Sequence, residues 1–136
     1  MRCVVDTNVL VSALLLPDSV PRQAFDLALE RGTILLSLAA LAELSTVLSR
    51  PRLRRYLSEA TIRRFLRALV RQSEWIEVVE AVAGSRDPRD NKFLALAVSG
   101  RATHIVTGDM DLQSLHPFRG ISIIGPQSFL AENSES

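Results

Sequence analysis

Five short runs of aliphatic and β-branched residues alternate with longer helical patterns along the chain, and no other feature restricts its fold so strongly. Residues 2–5, 33–36, 75–79, 104–107 and 121–124 read as strands bounded by Gly, Ser or Asp. Residues 20–31, 38–49, 59–72 and 88–99 carry helical periodicity, the third with Ile62, Phe65, Leu66, Leu69 and Val70 on one stripe. A smaller helix is expected after Asn8 and another over residues 52–56. Ser58 and Asp87 are natural N-caps, Pro88 suits a first helical position, and Gly32 and Gly100 stand where helices should end. Strands that read as unbroken apolar runs belong to a mostly parallel sheet buried on both faces. The expected class is therefore α/β, with a five-stranded sheet. In such sheets ligands bind outside the carboxyl ends of the strands, where the strand order reverses. Asp6 and Asp109 each follow an apolar run and should share that edge.

A chain of 136 residues is sized for one domain, expected over residues 1–131 with a frayed polar tail at 132–136. The longest apolar stretch, near residues 9–16, holds Ser12 and stops at Pro17, too short for a membrane span. No secretory pattern opens the chain, which predicts a cytoplasmic protein with no membrane partner. Cys3 is the lone cysteine and lies far from His104 and His116, so neither a disulfide framework nor a Cys/His zinc site is available.

Four acids stand out by position: Asp6 after the first strand, Glu43 within a helix, Asp90 in the first turn of another, and Asp109 after the fourth strand. Two carboxylates ~4 Å apart repel by about 4 kcal/mol at an effective dielectric near 20. Three or four in one pocket therefore require protons or a cation. Oxygen donors without histidine or cysteine favour Mg²⁺ or Mn²⁺, ions suited to phosphodiester hydrolysis. Each acid also has a simpler reading. Asp6 and Asp109 fit helix caps, and Asp90 fits a helix dipole. Glu43, among Leu38, Leu41, Ala42, Leu44 and Val47, reads as a carboxylate on a largely buried helix that needs a partner or an ion. Thr7, Asn8 and Thr107 are placed either to orient these groups or to make ordinary turns. Asp111, two residues beyond Asp109, is a competing ligand.

The net charge of +1 conceals a basic segment: eight of the sixteen basic residues lie between Arg50 and Arg71, where Glu59 is the only acid. Arg63, Arg67 and Arg71 recur every fourth residue opposite the apolar stripe, while Arg50, Arg52, Arg54 and Arg55 cluster before it. A phosphate-binding face and a solvated helix face both match this pattern. Tyr56 and Trp75 read as core residues or as stacking platforms.

The ordered motifs VVDTNVLVSAL, LAALAEL, DPRDNKFLALA and HIVTGDMDL resemble the PIN-domain nucleases, and among them the VapC-like toxins of bacterial toxin–antitoxin pairs. The likeness runs from Arg2 to about Phe129. It implies a Rossmann-like three-layer α/β/α sandwich and Mg²⁺- or Mn²⁺-dependent cleavage of RNA. On that resemblance Asp6 is the central metal ligand, Glu43 the helical carboxylate, Asp90 and Asp109 the remaining acids, and Thr7, Asn8, Thr107 and Asp111 supporting groups. Arg50, Arg52, Arg63 and Arg67 become the expected RNA contacts. A homodimer and a small inhibitory antitoxin are the implied protein partners. Two other classes compete. An aspartyl-phosphate enzyme would need a second acid two residues after Asp6, where Asn8 stands, and a non-catalytic RNA- or protein-binding module would need the arginines but not the acids.

Overall fold

The structure, a computed structural model, describes residues 1–82, 84 and 87–133. Five parallel strands form the sheet: β1 (Arg2–Val5), β2 (Thr33–Leu36), β3 (Glu74–Trp75), β4 (His104–Val106) and β5 (Ser122–Ile124), in the order β3-β2-β1-β4-β5. The chain steps from β1 towards β3, then crosses back to place β4 and β5 on the other side of β1. Strand order therefore reverses between β1 and β4.

Helices α1 (Thr7–Leu15) and α2 (Val20–Arg31) join β1 to β2, and α3 (Leu38–Leu48), α4 (Pro51–Arg54) and α5 (Glu59–Gln72) join β2 to β3. A 3-10 turn (Pro88–Asp90) and α6 (Asn91–Ser99) lead to β4; α7 (Met110–Gln113) and α8 (Pro126–Asn133) flank β5. Parallel crossovers are right-handed, so a change of direction puts α6 on the face opposite α1 and α2. In keeping with this, α6 packs on β1, β2 and β4, and α2 packs on α1, β2 and α8. The result is a three-layer α/β/α sandwich. Its core is continuous through the sheet, with Cys3, Leu44, Leu94, Ile105, Leu112 and Phe129 fully enclosed.

Several local expectations are corrected. The third strand ends at Trp75 instead of Val79, because β2 turns into α3 at Ser37 and the Ile76 amide makes the last bond, to Leu36 at 2.8 Å. The helix expected over residues 88–99 begins as a separate 3-10 turn, and the short helix expected at 52–56 starts at Pro51 and stops at Arg54. Glu132 and Asn133 are helical, tied to the body through an Arg31–Asn133 carbonyl bond at 2.9 Å; residues 134–136 of the expected tail lie outside the described residues. α8 has no clear periodic stripe in sequence, yet Phe129 anchors it in the core, with Leu130 packed half-buried against it.

Gly100 does not supply backbone freedom to the end of α6. Its φ is −91°, and the left-handed residue is Arg101, at φ 54°. The Ala102 amide then reaches the Ala97 carbonyl at 2.8 Å, the bond that closes a Schellman-type end. Gly100 is small for a different reason: a Cβ there would sit 2.7 Å from Leu35 Cδ1.

Candidate active site

Each of the four acids is delivered to the same place by the end of an element. Asp6 leaves β1, Asp109 follows β4 after Thr107 and Gly108, Asp90 closes the 3-10 turn before α6, and Glu43 projects from α3. All four line one cleft of about 290 Å³ together with Thr7, Asn8, Val47, Arg50, Asp87 and Arg89. The cleft lies at the carboxyl edge of the sheet, at the reversal between β1 and β4, where an open α/β sheet has room for a ligand.

The simpler readings of the acids separate here. Asp109 does cap α7, accepting from the Asp111 amide at 2.8 Å and the Leu112 amide at 3.4 Å through Oδ1. Asp87 likewise caps the 3-10 turn. Asp6 stands at the N-cap position of α1 but closes no side-chain capping bond. Its Oδ2 accepts instead from the Thr107 hydroxyl at 2.6 Å. Thr107, completely buried, also accepts from the Asp109 amide at 3.0 Å, so a single hydroxyl fixes both strand-end acids. Its carbonyl is in turn held by Gln113 Nε2 at 2.7 Å, a supporting contact that no motif announced.

The acids repel one another. Burial raises the Asp6 carboxyl above the usual carboxylate range, with Glu43 and Asp109 adding to the rise against the Thr107 bond. Burial also pushes Asp90 up to about 6, reinforced by the charge of Asp109 and a hydrogen bond with it. Only 5% of Asp6 and 9% of Asp90 is exposed, so water cannot screen either charge well.

Glu43 is different in kind. Its Oε2 accepts from the Thr7 hydroxyl and its Oε1 from Lys92 Nζ at 2.5 Å. Lys92 also donates to the Arg89 carbonyl at 2.6 Å. Both carboxylate oxygens of Glu43 are thus occupied by the protein, and the partner that its position demanded is a lysine absent from the sequence-based site. The spacing carried a signal: Lys92 follows Asp90 by two residues and is the only lysine of the chain. The expectation that α3 is largely buried is overturned, since Leu38 is 71% exposed and Ala39 and Ala42 are also at the surface. The Ala40, Leu44 and Leu48 side is buried in the core, and Leu41 and Val47 pack against it half-buried.

Among the described residues, no group of three His, Cys, Asp or Glu side chains is arranged to hold an ion unaided. The donor chemistry nevertheless suits a hard divalent cation. Asp6, Asp90 and Asp109 offer oxygen only, and such ions are commonly held by one or two carboxylates while keeping several waters. A cation would also relieve the repulsion that now raises Asp6 and Asp90.

The remaining sequence-derived residues divide. Asn8 is exposed on the cleft wall, and Arg50 lines it. Asp111 does not line the cleft; its carbonyl accepts from Ser114 Oγ at 2.6 Å. Arg52 is exposed on α4, Arg63 is 3.6 Å from Glu59 on the surface of α5, and Arg67 lines a separate groove between α3 and α5. Tyr56 and Trp75 are not core residues, with 73% and 51% of their surface exposed.

Comparison with known proteins agrees with this geometry. Residues 2–111 match the family profile described as PIN domain. The uncharacterised protein MJ1680 of Methanocaldococcus jannaschii is 37% identical over 117 residues, covering 85% of this chain and 75% of that protein. The crystal structure of VapBC2 from Rickettsia felis, bound to a DNA fragment from their promoter, aligns with a TM-score of 0.61 at 16% identity over 90% of this chain and 97% of its own. PAE2754 from Pyrobaculum aerophilum aligns with a TM-score of 0.62 at 14% identity over 99% and 91% of the respective chains. With its acids gathered at the switch point of a parallel sheet and most of its length matched by the family profile, the chain belongs to the PIN domain family.

Proposed function

We propose that this protein is a Mg²⁺- or Mn²⁺-dependent endoribonuclease and the toxin of a toxin–antitoxin pair, acting in the cytoplasm. The observation that carries the reading is the convergence of Asp6, Asp90 and Asp109 in one cleft while Glu43 is already paired with Lys92. A purely structural cluster would have no reason to leave Asp6 and Asp90 mutually repelled.

Asp6, Asp90 and Asp109 would hold the ion, with Thr107 orienting the first and last of them. A bound divalent ion supplies polarisation of a phosphoryl oxygen and lowers the pKa of an attacking water. Arg50, on the cleft wall, would take a phosphate of the RNA, and Arg52 a neighbouring one, because guanidinium forks match phosphate geometry. Asn8 would orient the substrate at the opening. Glu43, fixed by Thr7 and Lys92, would keep the lysine ammonium at the edge of the cleft.

An apolar groove beside the site supports a protein partner. Leu38, Ala42, Trp75, Ile76 and Val78 line a cleft of about 540 Å³ that Lys92 also lines. An antitoxin segment laid there would reach the Glu43–Lys92 pair, and the remaining apolar surface of α3 and α5 would serve a homodimer. The shared fold with VapBC2 of Rickettsia felis supports a protein partner of this kind.

The reading is tested by incubating purified protein with labelled RNA in Mg²⁺ or Mn²⁺ and in EDTA. Ion-dependent internal cleavage is expected; RNA left intact under every ion condition contradicts the proposal. A gene for a small antitoxin next to this one, and growth arrest relieved by its co-expression, are the matching cellular results.

A further inference from the structure

We infer that Tyr56 is a base-stacking residue that makes the basic segment selective for single-stranded RNA, a deepening that rests on RNA being the ligand proposed above. The local structure forces this side chain outward. In the turn that follows α4, the Leu57 amide bonds the Leu53 carbonyl at 2.9 Å and the Tyr56 amide bonds the same carbonyl at 3.0 Å. Leu53 and Leu57, four residues apart, therefore face the core, Leu57 with 7% exposure. Arg52 and Tyr56, also four apart, lie together on an adjoining, exposed side. Tyr56 is 73% exposed, and its hydroxyl makes no hydrogen bond among the described residues.

Charge and position supply the rest. Arg50, Arg52 and Arg55 make no ion pair among the described residues, and Arg54 is 3.6 Å from an exposed Glu59. Arg50 is the N-cap of α4 and also a wall of the acidic cleft. Tyr56 follows two residues after the end of α4, so one short segment joins the cleft wall at Arg50 to the exposed ring. The aromatic ring is thus carried on the segment that begins at the cleft wall, in sequence among cations that suit a phosphate backbone. Every base has a π-face for such a ring, but only an unpaired base can offer it, since the bases of an A-form duplex are already stacked.

The test measures binding of a fluorescein-labelled oligoribonucleotide of about ten nucleotides, alone and annealed to its complement, by anisotropy in EDTA so that cleavage plays no part. Tyr56→Ala should weaken single-strand binding about 5- to 100-fold while leaving its salt slope and duplex binding unchanged. Tyr56→Phe should bind like the wild type. Arg52→Gln should instead reduce the salt slope by about 0.7, the signature of one lost phosphate contact. Undiminished single-strand affinity in Tyr56→Ala, or an equal loss on duplex, overturns the inference, as does absence of RNA binding by the wild type. Because no ion is present, a failure of the nuclease reading leaves this result standing.

Discussion

Lys92 Nζ lies 2.5 Å from Glu43 Oε1, and each side chain is about three-quarters buried. This contact crosses from α6 to α3 and gives one carboxylate of the cleft a cation of its own, although its charge still adds to the rise at Asp6. The acids therefore divide: Glu43 faces a lysine, whereas Asp6 and Asp90 both face the charge of Asp109.

Breaking the Glu43–Lys92 pair should leave a half-enclosed carboxylate uncompensated. Lys92→Met is expected to cost about 1–3 kcal/mol of stability in urea unfolding, between the values for exposed and buried pairs. Adding Glu43→Gln should recover part of the loss, giving a coupling on the order of 1 kcal/mol. Strict additivity of the two changes would contradict direct pairing.

The Asp90 carboxyl, pushed up to about 6, gives the folded state the greater proton affinity. Between an unfolded value near 4 and about 6, the folded chain holds more protons, so stability falls as pH rises through this window. Without divalent ions, Asp90→Asn should raise the melting temperature at pH 8 and change it little at pH 4. Added Mn²⁺ should stabilise the wild type more at pH 8 than at pH 5, because protons compete for the same oxygens. A thermal-shift series over pH measures both effects, and a pH-independent response to Asp90→Asn contradicts the assignment of the raised group.

Thr107 acts through two contacts of one hydroxyl, to Asp6 Oδ2 and to the Asp109 amide. Thr107→Val keeps the shape and deletes both. It should lower divalent-ion affinity about 10- to 100-fold and stability by roughly 1–3 kcal/mol, whereas Thr107→Ser should retain the ion affinity. Calorimetric titration with Mn²⁺ compares the three proteins, and equal affinity in the valine variant would contradict the orienting role.

At the end of α6, Arg101→Gly should stabilise the protein by roughly 1 kcal/mol, since it relieves a left-handed backbone. Gly100→Ala should destabilise it, because the new methyl meets Leu35 Cδ1. Urea unfolding of the two variants measures both changes, and the opposite signs would contradict both the strain at Arg101 and the close approach at Gly100.

How much of the fold and site is legible in the sequence depends on the range of the interaction that decides each part. The runs around Val4 and Ile105 declare themselves as buried parallel strands, and Asp6 and Asp109 can be placed on one edge from that alone. Glu43 needs a partner by the same logic, but Lys92 lies 49 positions away, and no local pattern joins them. Gly100 reads as a cap because glycine usually is one. Its actual constraint, the side chain of Leu35, comes from another strand. The exposed side of α3 misleads for a related reason: Leu38 and Ala42 are apolar like Leu44, and periodicity cannot separate a core-facing stripe from an exposed one.

Asp6, the acid that follows the central strand and shares the Thr107 hydroxyl with Asp109, is the residue on which the metal site depends most. Asp6→Asn keeps the size and the Thr107 contact while removing the charge. The most direct measurement is Mn²⁺ titration of this variant by calorimetry, with cleavage of labelled RNA followed in parallel. The expected result is a folded protein that has lost most of its ion affinity and all ion-dependent cleavage. A folded variant that binds the ion and cuts RNA like the wild type would contradict the proposed metal site.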